Sequence, residues 1–370
     1  MAGARRSAAR LRPHAHVRTR RDCRIRSHRP EDPKEHTMNT VMPARTAPAP
    51  LPGWDLDEAP FHTGETAVQT RAGVREKAEI GGRRGIRRYL PDQHRQFFGQ
   101  LPFMVLGGID AHGQPWATLR VGAPGFVSTP DATTLRIAGE ALAGDPLDGS
   151  WHAGAALGGL GIEPPTRRRN RVNGVVTAID GDGLTVEVRQ SFGNCAKYIQ
   201  SRTPTRIEAF DAAAARAGTR LSTTLDASDR GLIERSDTYF IATRGSLADD
   251  GPSQGVDVSH RGGLPGFVRV EDENTFVAPD YRGNQFFNTL GNLAVDPRAG
   301  LVFIDFEHGD LLYVAAHAEI VWEGALLEAF ASAERLVRFK VDEVRSSPGA
   351  LPFRWSDVEY APQWRTAAVG

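Results

Sequence analysis

Gly125-Phe126-Val127-Ser128-Thr129-Pro130-Asp131-Ala132-Thr133-Thr134-Leu135-Arg136-Ile137 is echoed further along the chain by Gly266-Phe267-Val268-Arg269-Val270-Glu271-Asp272-Glu273-Asn274-Thr275-Phe276-Val277-Ala278. Five of the thirteen positions are identical without a gap, and a proline, Pro124 or Pro265, precedes each copy. Each copy also follows an apolar, strand-like run, Phe103-Met104-Val105-Leu106 and Tyr239-Phe240-Ile241-Ala242. The spacing is too long for a solenoid unit. It fits two copies of one small β domain, with a binding site expected between the halves.

The 370 residues suffice for one large domain or two of ordinary size. Basic and acidic residues balance at 45 each, so net charge makes no case for nucleic acid or an anionic membrane as partner. Two cysteines, Cys23 and Cys195, make no disulfide framework and no metal-ligand spacing, and point to a reducing compartment. No apolar run approaches the roughly 20 residues of a bilayer span, and the expectation is a soluble cytoplasmic protein. The first thirty residues are Arg-rich and lack an apolar h-region, which excludes a secretory signal. An Arg-rich, acid-poor leader suits a transit peptide or a nucleic-acid arm; the simpler reading is a disordered tail or translated upstream sequence, with the start at Met38 or Met42. The Pro/Ala stretch Met42–Pro60 reads as a linker that builds no core.

From Phe61 the folding signals begin. Glu65–Ala78 has helical spacing, and Asp92 is placed to cap Gln93–Phe98. Short strands joined by Gly- and Pro-rich turns then run from Phe103 to Gln190, and closure of such strands into a barrel removes exposed edges. Pro204–Ala217 reads as a helix, and Asp226 caps another through Glu234. A second strand series follows from Thr238, with a helix expected over Asn284–Asp296 and a last strand over Arg335–Val344. The implied divisions are a leader over 1–60, a first repeat over 61–203, a helical connection over 204–236, a second repeat over 237–345 and an arm over 346–370. The class is mainly β with flanking helices.

Three segments carry a family resemblance: Pro91-Asp92-Gln93-His94-Arg95-Gln96-Phe97-Phe98, Gln190-Ser191-Phe192-Gly193-Asn194-Cys195-Ala196-Lys197-Tyr198-Ile199-Gln200, and Ser259-His260-Arg261-Gly262-Gly263 through Pro265–Val270 to Pro279-Asp280-Tyr281-Arg282-Gly283-Asn284. Together they resemble the pyridoxamine 5'-phosphate oxidase-like flavoproteins, in particular their tandem-domain, flavin-nucleotide-binding branch. The resemblance covers roughly residues 61–345. It implies FMN-binding split barrels, six-stranded Greek keys that bind FMN between two barrels. In this chain both barrels would come from one polypeptide, as a pseudo-dimer. It also implies redox chemistry through the flavin N5.

FMN asks for cationic and amide donors at its phosphate, apolar walls for its ring and donors near the ring atoms that gain charge on reduction. The resemblance carries phosphate binding onto Arg261, Arg282 and Asn284, with His260 and Gln285 beside them. Arg282-Gly283-Asn284-Gln285 is read as opening a helix, where free N–H groups converge on an anion. Gly283 would admit a close backbone approach and Arg282 a bidentate grip. In the first repeat, Arg167-Arg168-Arg169-Asn170-Arg171 is the densest basic cluster, and a guanidinium such as that of Arg169 is expected to reach the groove. Alternation would put Arg171 and Asn173 on one face. Asn194, Lys197 and Tyr198 are expected to serve the flavin from the opposite barrel, Lys197 at the N1/O2 end. Cys195 reads as structural. The turn lacks the Lys and Ser of the biosynthetic oxidases, which leaves the substrate open.

Gly158-Gly159-Leu160-Gly161 lacks the strand–helix–strand context of a dinucleotide fingerprint, and His152, His260, His308 and His317 have no metal spacing. The expected function is that of an FMN-dependent oxidoreductase acting on a small molecule, reduced by NAD(P)H or a separate reductase, as a monomeric pseudo-dimer or homodimer. Two alternatives stand beside it. One is a flavin carrier without turnover. The other is a haem-associated split barrel, which needs an axial histidine such as His260 or His317 in the groove.

Overall fold

The computed structural model describes residues 51–139, 141–246 and 251–365; the Arg-rich leader through residue 50 lies outside them. Three helices come first: α1 (Thr63–Arg71), α2 (Arg75–Gly85) and α3 (Asp92–Gly99). The helix expected over Glu65–Ala78 is therefore two, broken at Gly73, whose φ of 69° belongs to the left-handed region. The linker reading also stops short of Pro60. Trp54 is buried beside Phe61, Ile86 and Phe192, and its backbone N–H donates to Arg83 O at 2.8 Å.

The first sheet contains β1 (Phe103–Ile109), β2 (Pro115–Val121), β3 (Val127–Ser128), β4 (Thr134–Ala138), β5 (Ala156–Glu163), β6 (Arg168–Asp180) and β7 (Gly183–Gly193). Their order across the sheet is β2-β1-β5-β6-β7-β4-β3. Short strands β8 (Pro204–Arg206) and β9 (Arg220–Ser222) follow, with helices α4 (Ala212–Ala217) and α5 (Ala227–Arg235). Asp226 caps α5 as expected, its carboxylate accepting from Asp229 N at 2.9 Å. The helix expected over Pro204–Ala217 shrinks to α4, because the stretch from Pro204 to Arg206 pairs with a later strand.

The second sheet contains β10 (Thr238–Arg244), β11 (Val256–Gly262), β12 (Arg269–Val270), β13 (Thr275–Asp280), β14 (Arg298–Ile304), β15 (Leu311–Val321) and β16 (Arg335–Ser347). It runs β11-β10-β14-β15-β16-β13-β12, with β9 added against β16. Strand for strand, this is the order of the first sheet, and each path has seven strands in place of the expected six. Helix α6 (Asn288–Val295) lies between β13 and β14, and β17 (Phe353–Trp355) pairs with β8.

The repeated sequence builds the same turn twice. Phe126 N donates to Ala123 O and Phe267 N to Leu264 O, both at 2.9 Å, with Gly125 and Gly266 at φ 97° and 85°. Pro at the second position and Gly at the third is the chemistry of a type II turn. Phe126 then folds over Gly122, and Phe267 over Gly263, where a Cβ would clash with the ring in either case.

The apolar runs have a physical reason. Met104 and Leu106 point into the first sheet's own core while Phe103 and Val105 point into a second core. Tyr239 and Ile241 likewise face the second sheet's interior, and Phe240 and Ala242 face the shared core. Strands covered on both faces read as unbroken apolar runs. At this shared core the backbones come very close. A Cβ on Gly158 would lie 2.6 Å from Val256 O, and one on Gly300 would lie 2.1 Å from Pro115 O.

Candidate functional site

A polar cavity of about 90 Å³ opens where β6 of the first sheet meets β11, β13 and the start of α6. Arg169 and Arg171 reach it from β6, Asn194 and Cys195 from the segment after β7. Ser259, His260 and Arg261 come from β11, Asp280 from β13 and Arg335 from β16. The period-2 alternation of β6 sends both arginines to one side, and Asn173 follows them, since Arg171 Nη1 and Asn173 Nδ2 both donate to Asp257, at 2.8 and 2.7 Å.

The cations of this cavity are not equivalent. Arg171 is held by Asp257 and also donates to Ser259 Oγ. Arg261 Nη1 donates to Asp280 at 2.9 Å, and Arg335 Nε donates to the other oxygen of the same carboxylate at 3.0 Å. Arg335 is further tied to Glu334 at 2.7 Å. Arg169 has no carboxylate within salt-bridge distance among the described residues. Its Nε donates to the Cys195 carbonyl at 2.8 Å and its Nη1 to His260 Nδ1 at 3.0 Å. Burial, with Arg171 and Arg261 nearby, pushes its pKa down to about 10, so it is still charged at neutral pH. Four guanidiniums face three carboxylates, Asp257, Asp280 and Glu334, and the excess positive charge resides on Arg169.

His260 adds none. It is buried, and burial together with Arg169, Arg261 and Arg202 drives its pKa well below the ordinary histidine value. A guanidinium only donates, so the neutral ring accepts at Nδ1 and carries its proton on Nε2. Asn194 completes the donor set: its Nδ2 is buried without a partner, while its Oδ1 accepts from Asn284 Nδ2 at 3.4 Å. A buried donor left unpaired is costly and marks a place where an acceptor fits.

The turn between β13 and α6 is built differently from the sequence expectation. The helix begins at Asn288, not Asn284, because Gln285 and Phe287 both adopt left-handed backbone, φ 64° and 63°. Such conformations cost non-glycine residues roughly 1 kcal/mol or more each. Anchoring of Phe286 offsets the strain. Its ring packs edge-on against Phe61 at 5.2 Å and Phe192 at 5.8 Å, and its carbonyl accepts from Gln69 Nε2 at 2.9 Å. Asn284 Oδ1 accepts from Phe286 N and so shapes the turn in place of capping a helix.

Of the residues expected at the site, Arg169, Asn194, His260, Arg261, Gly283, Asn284 and Gln285 line the cavity. Arg282 and Lys197 do not. The Arg282 side chain is 65% exposed and lies 4.0 Å from Glu334, outside the cavity lining. Lys197 sits in an irregular segment after β7. Gly283 has no positive φ, and a Cβ there would meet nothing within 4 Å, so close packing does not require it. Sequence reasoning missed Asp280, Ser259 and Arg335. The alternation of β11 is the signal for Ser259, and the lone arginine opening β16 is the only signal for Arg335.

Tyr281 borders the cavity and carries an aromatic group with it. Tyr198 lies 5.4 Å from Tyr281, and Trp364 lies 5.5 and 5.1 Å from the two. His317, by contrast, is exposed and donates to Asp342 at 2.6 Å, away from the cavity. No helix among the described residues is long and apolar enough to cross a membrane.

Comparison with known proteins bears on this half of the cavity. The family model of pyridoxamine 5'-phosphate oxidase matches residues 225–361. No curated protein matches the chain. Among solved structures, it is similar to the H111A variant of HupZ from Group A Streptococcus, at 17% identity over 33% of this chain and 98% of that one, with a TM-score of 0.27. It is similar also to a putative pyridoxamine 5'-phosphate oxidase from Lactobacillus delbrueckii, at 16% identity over 33% and 94% of the two chains and a TM-score of 0.27. HutZ, the haem storage protein from Vibrio cholerae, follows at 11% identity over 37% and 96%, with a TM-score of 0.23. The match to the family model of pyridoxamine 5'-phosphate oxidase covers His260, Arg261, Asp280 and the whole 281–287 turn.

Proposed function

We propose that the chain is an FMN-dependent oxidoreductase whose cofactor phosphate binds at Arg169. The observation that carries this reading is the uncompensated charge of Arg169 beside the unpaired Asn194 Nδ2. An anion there gains charge-assisted hydrogen bonds from a partly desolvated guanidinium. Arg261 and Asn284 line the same cavity and fit the same role. A cavity of about 90 Å³ is small against the roughly 300–1,000 Å³ of most ligand sites. The fit is therefore to the phosphate end, and the aromatic group of Tyr198, Tyr281 and Trp364 suits a planar ring at the mouth. A bound flavin supplies hydride transfer at its N5. The residues named here hold and orient it, and His260, neutral and already accepting from Arg169, keeps that guanidinium aimed.

We infer also that the two sheets are tandem split barrels arranged as a pseudo-dimer. Their common strand order supports this, as does the reciprocity of their contacts. Gly158 lies against Val256 and Asp257, and Gly300 lies against Pro115 and Trp116, the residues that hold the same places in the other repeat. Gly107 meets Ala242, its own counterpart, as residues on a twofold axis do.

The test is the visible spectrum of the purified full chain, followed by release and identification of the chromophore. Stoichiometric FMN that is lost in an Arg169→Ala variant is the expected result. A Soret band, or a colourless protein that takes up no added FMN, would overturn the reading. Reoxidation kinetics with candidate acceptors then separate an oxidoreductase from a carrier.

A further inference from the structure

We infer that each chain binds one anionic ligand, because the position related to the Arg169 cavity by the internal pseudo-twofold has been converted into apolar core; this rests on the tandem reading proposed above. In a dimer of identical subunits, symmetry makes both interface sites the same. A single chain that carries both halves is free of that constraint, and each half can diverge.

The strand ladders define which residues correspond. Phe103 pairs with Val121 across β1 and β2, and Thr238 with Gly262 across β10 and β11, both at the ends of seven-residue ladders. Trp116, Thr118, Leu119 and Arg120 therefore stand where the second repeat has Asp257, Ser259, His260 and Arg261. Val105 pairs with Leu160 and Phe240 with Val302; next, Leu160 pairs with Arg171 and Val302 with Tyr313. Tyr313 thus corresponds to Arg171, and Leu311 to Arg169. A bulge confirms the register: β6 shifts against β7 between Asn173 and Gly174, and β15 shifts against β16 between Ala315 and Ala316, at corresponding places.

The replacements remove the anion chemistry one group at a time. Leu311 stands for Arg169, Tyr313 for Arg171, Trp116 for Asp257 and Leu119 for His260, and none is more than 1% exposed. Trp116 and Tyr313 are among the largest fully buried side chains of the chain and occupy the space that the Arg171–Asp257 pair takes on the other side. Arg120 alone keeps the charge of its counterpart Arg261. It is buried with Asp145 3.8 Å away, and Thr118 and Tyr313 lie close to that same carboxyl. A second guanidinium, that of Arg345, lies 5.2 Å over the Trp116 ring and is tied to Glu343 at 2.7 Å. Both cations there are thus matched by a carboxyl, and nothing there corresponds to the unmatched guanidinium of Arg169.

Equilibrium dialysis of the full chain against FMN, and anomalous diffraction from crystals soaked in tungstate, test this together. The expected results are one FMN per chain, and one tungstate peak beside Arg169 with none beside Arg120. Arg169→Leu, which writes the counterpart residue into the cavity, should weaken binding by about 100-fold. Tyr313→Phe should leave stoichiometry and Kd unchanged. Two FMN per chain, two tungstate peaks, or a peak at Arg120 alone would overturn the inference, as would tungstate at neither place. A single tungstate peak at Arg169 without FMN uptake would sink the FMN reading and leave the single site standing.

Discussion

Arg169, Arg261 and Arg282 are all arginines within reach of one turn, and the structure separates them by partner and exposure. Arg169 is half-buried and lacks a carboxylate, Arg261 shares Asp280 with Arg335, and Arg282 extends into solvent. An exposed cation gains little from an anion in high dielectric, whereas a partly desolvated one gains much more. Arg282→Ala is therefore expected to change FMN affinity by less than about 2-fold. Arg261→Ala should weaken it by about 10-fold or more, because it removes a donor and leaves Asp280 with one fewer guanidinium beside the phosphate. Flavin fluorescence titrations of the two variants check this. A larger loss in Arg282→Ala than in Arg261→Ala would mean that the phosphate binds outside the cavity.

At the scale of elements, α6 and the turn before it place Asn288 and Thr289 in the cavity wall, and α1 holds α6 in position. The two helices touch through glycines. A Cβ on Gly64 would lie 2.2 Å from Gly291 O, and one on Gly291 would lie 2.5 Å from Glu65 Cα. Side chains fix the register: Asn288 Nδ2 donates to Glu65, and His62 Nε2 meets Asn292 Oδ1 at 2.7 Å. Overpacking a close backbone contact typically costs about 1–3 kcal/mol. Gly291→Ala should therefore lower the denaturant midpoint and weaken FMN binding with it, since moving α6 moves the cavity wall. Urea titration with and without FMN reads both effects. An unchanged affinity in a destabilised variant would show that α6 does not position the site.

On the scale of the whole molecule, the shared core takes Val105, Trp116 and Leu119 from one sheet and Phe240, Val302 and Tyr313 from the other. A core contributed by both sheets favours a single cooperative unfolding transition. Its pH dependence follows from buried groups. Burial, then Arg87 and Arg168, lowers His94 from 6.5 to about 4, so it is neutral in the fold and protonated in the unfolded chain between those values. The unfolded state binds more protons there, and stability falls as pH drops from about 6.5 to 4. Glu65 acts in the opposite direction. Burial and nearby Asp257 raise its pKa, so the folded state keeps a proton that the unfolded chain releases above its ordinary 4.5, and stability falls as pH rises there. In thermal melts across this window, His94→Gln should flatten the loss of stability on acidification and Glu65→Gln should steepen it. Parallel curves for wild type and His94→Gln would show that His94 is protonated in the fold.

The sequence by itself determined what depends on local pattern. The Pro-Gly-Phe repeat specified the same type II turn in both halves, because only glycine accepts its third position cheaply. The apolar runs Phe103–Leu106 and Tyr239–Ala242 announced strands, and Asp226 announced the start of α5. The local pattern misread Asn284 as a helix start, because the anchoring of Phe286 between Phe61 and Phe192 comes from residues far away in sequence and forces Gln285 and Phe287 into left-handed backbone. Nor could it show that the Arg282 side chain is exposed and outside the cavity lining, because an irregular turn has no periodicity to say which side is inward. Only the tertiary structure decided which cation was left without a carboxylate. Charge compensation is set by distances across two sheets, Arg171 to Asp257 and Arg261 to Asp280, and a chain read in one dimension holds the charges but not their partners.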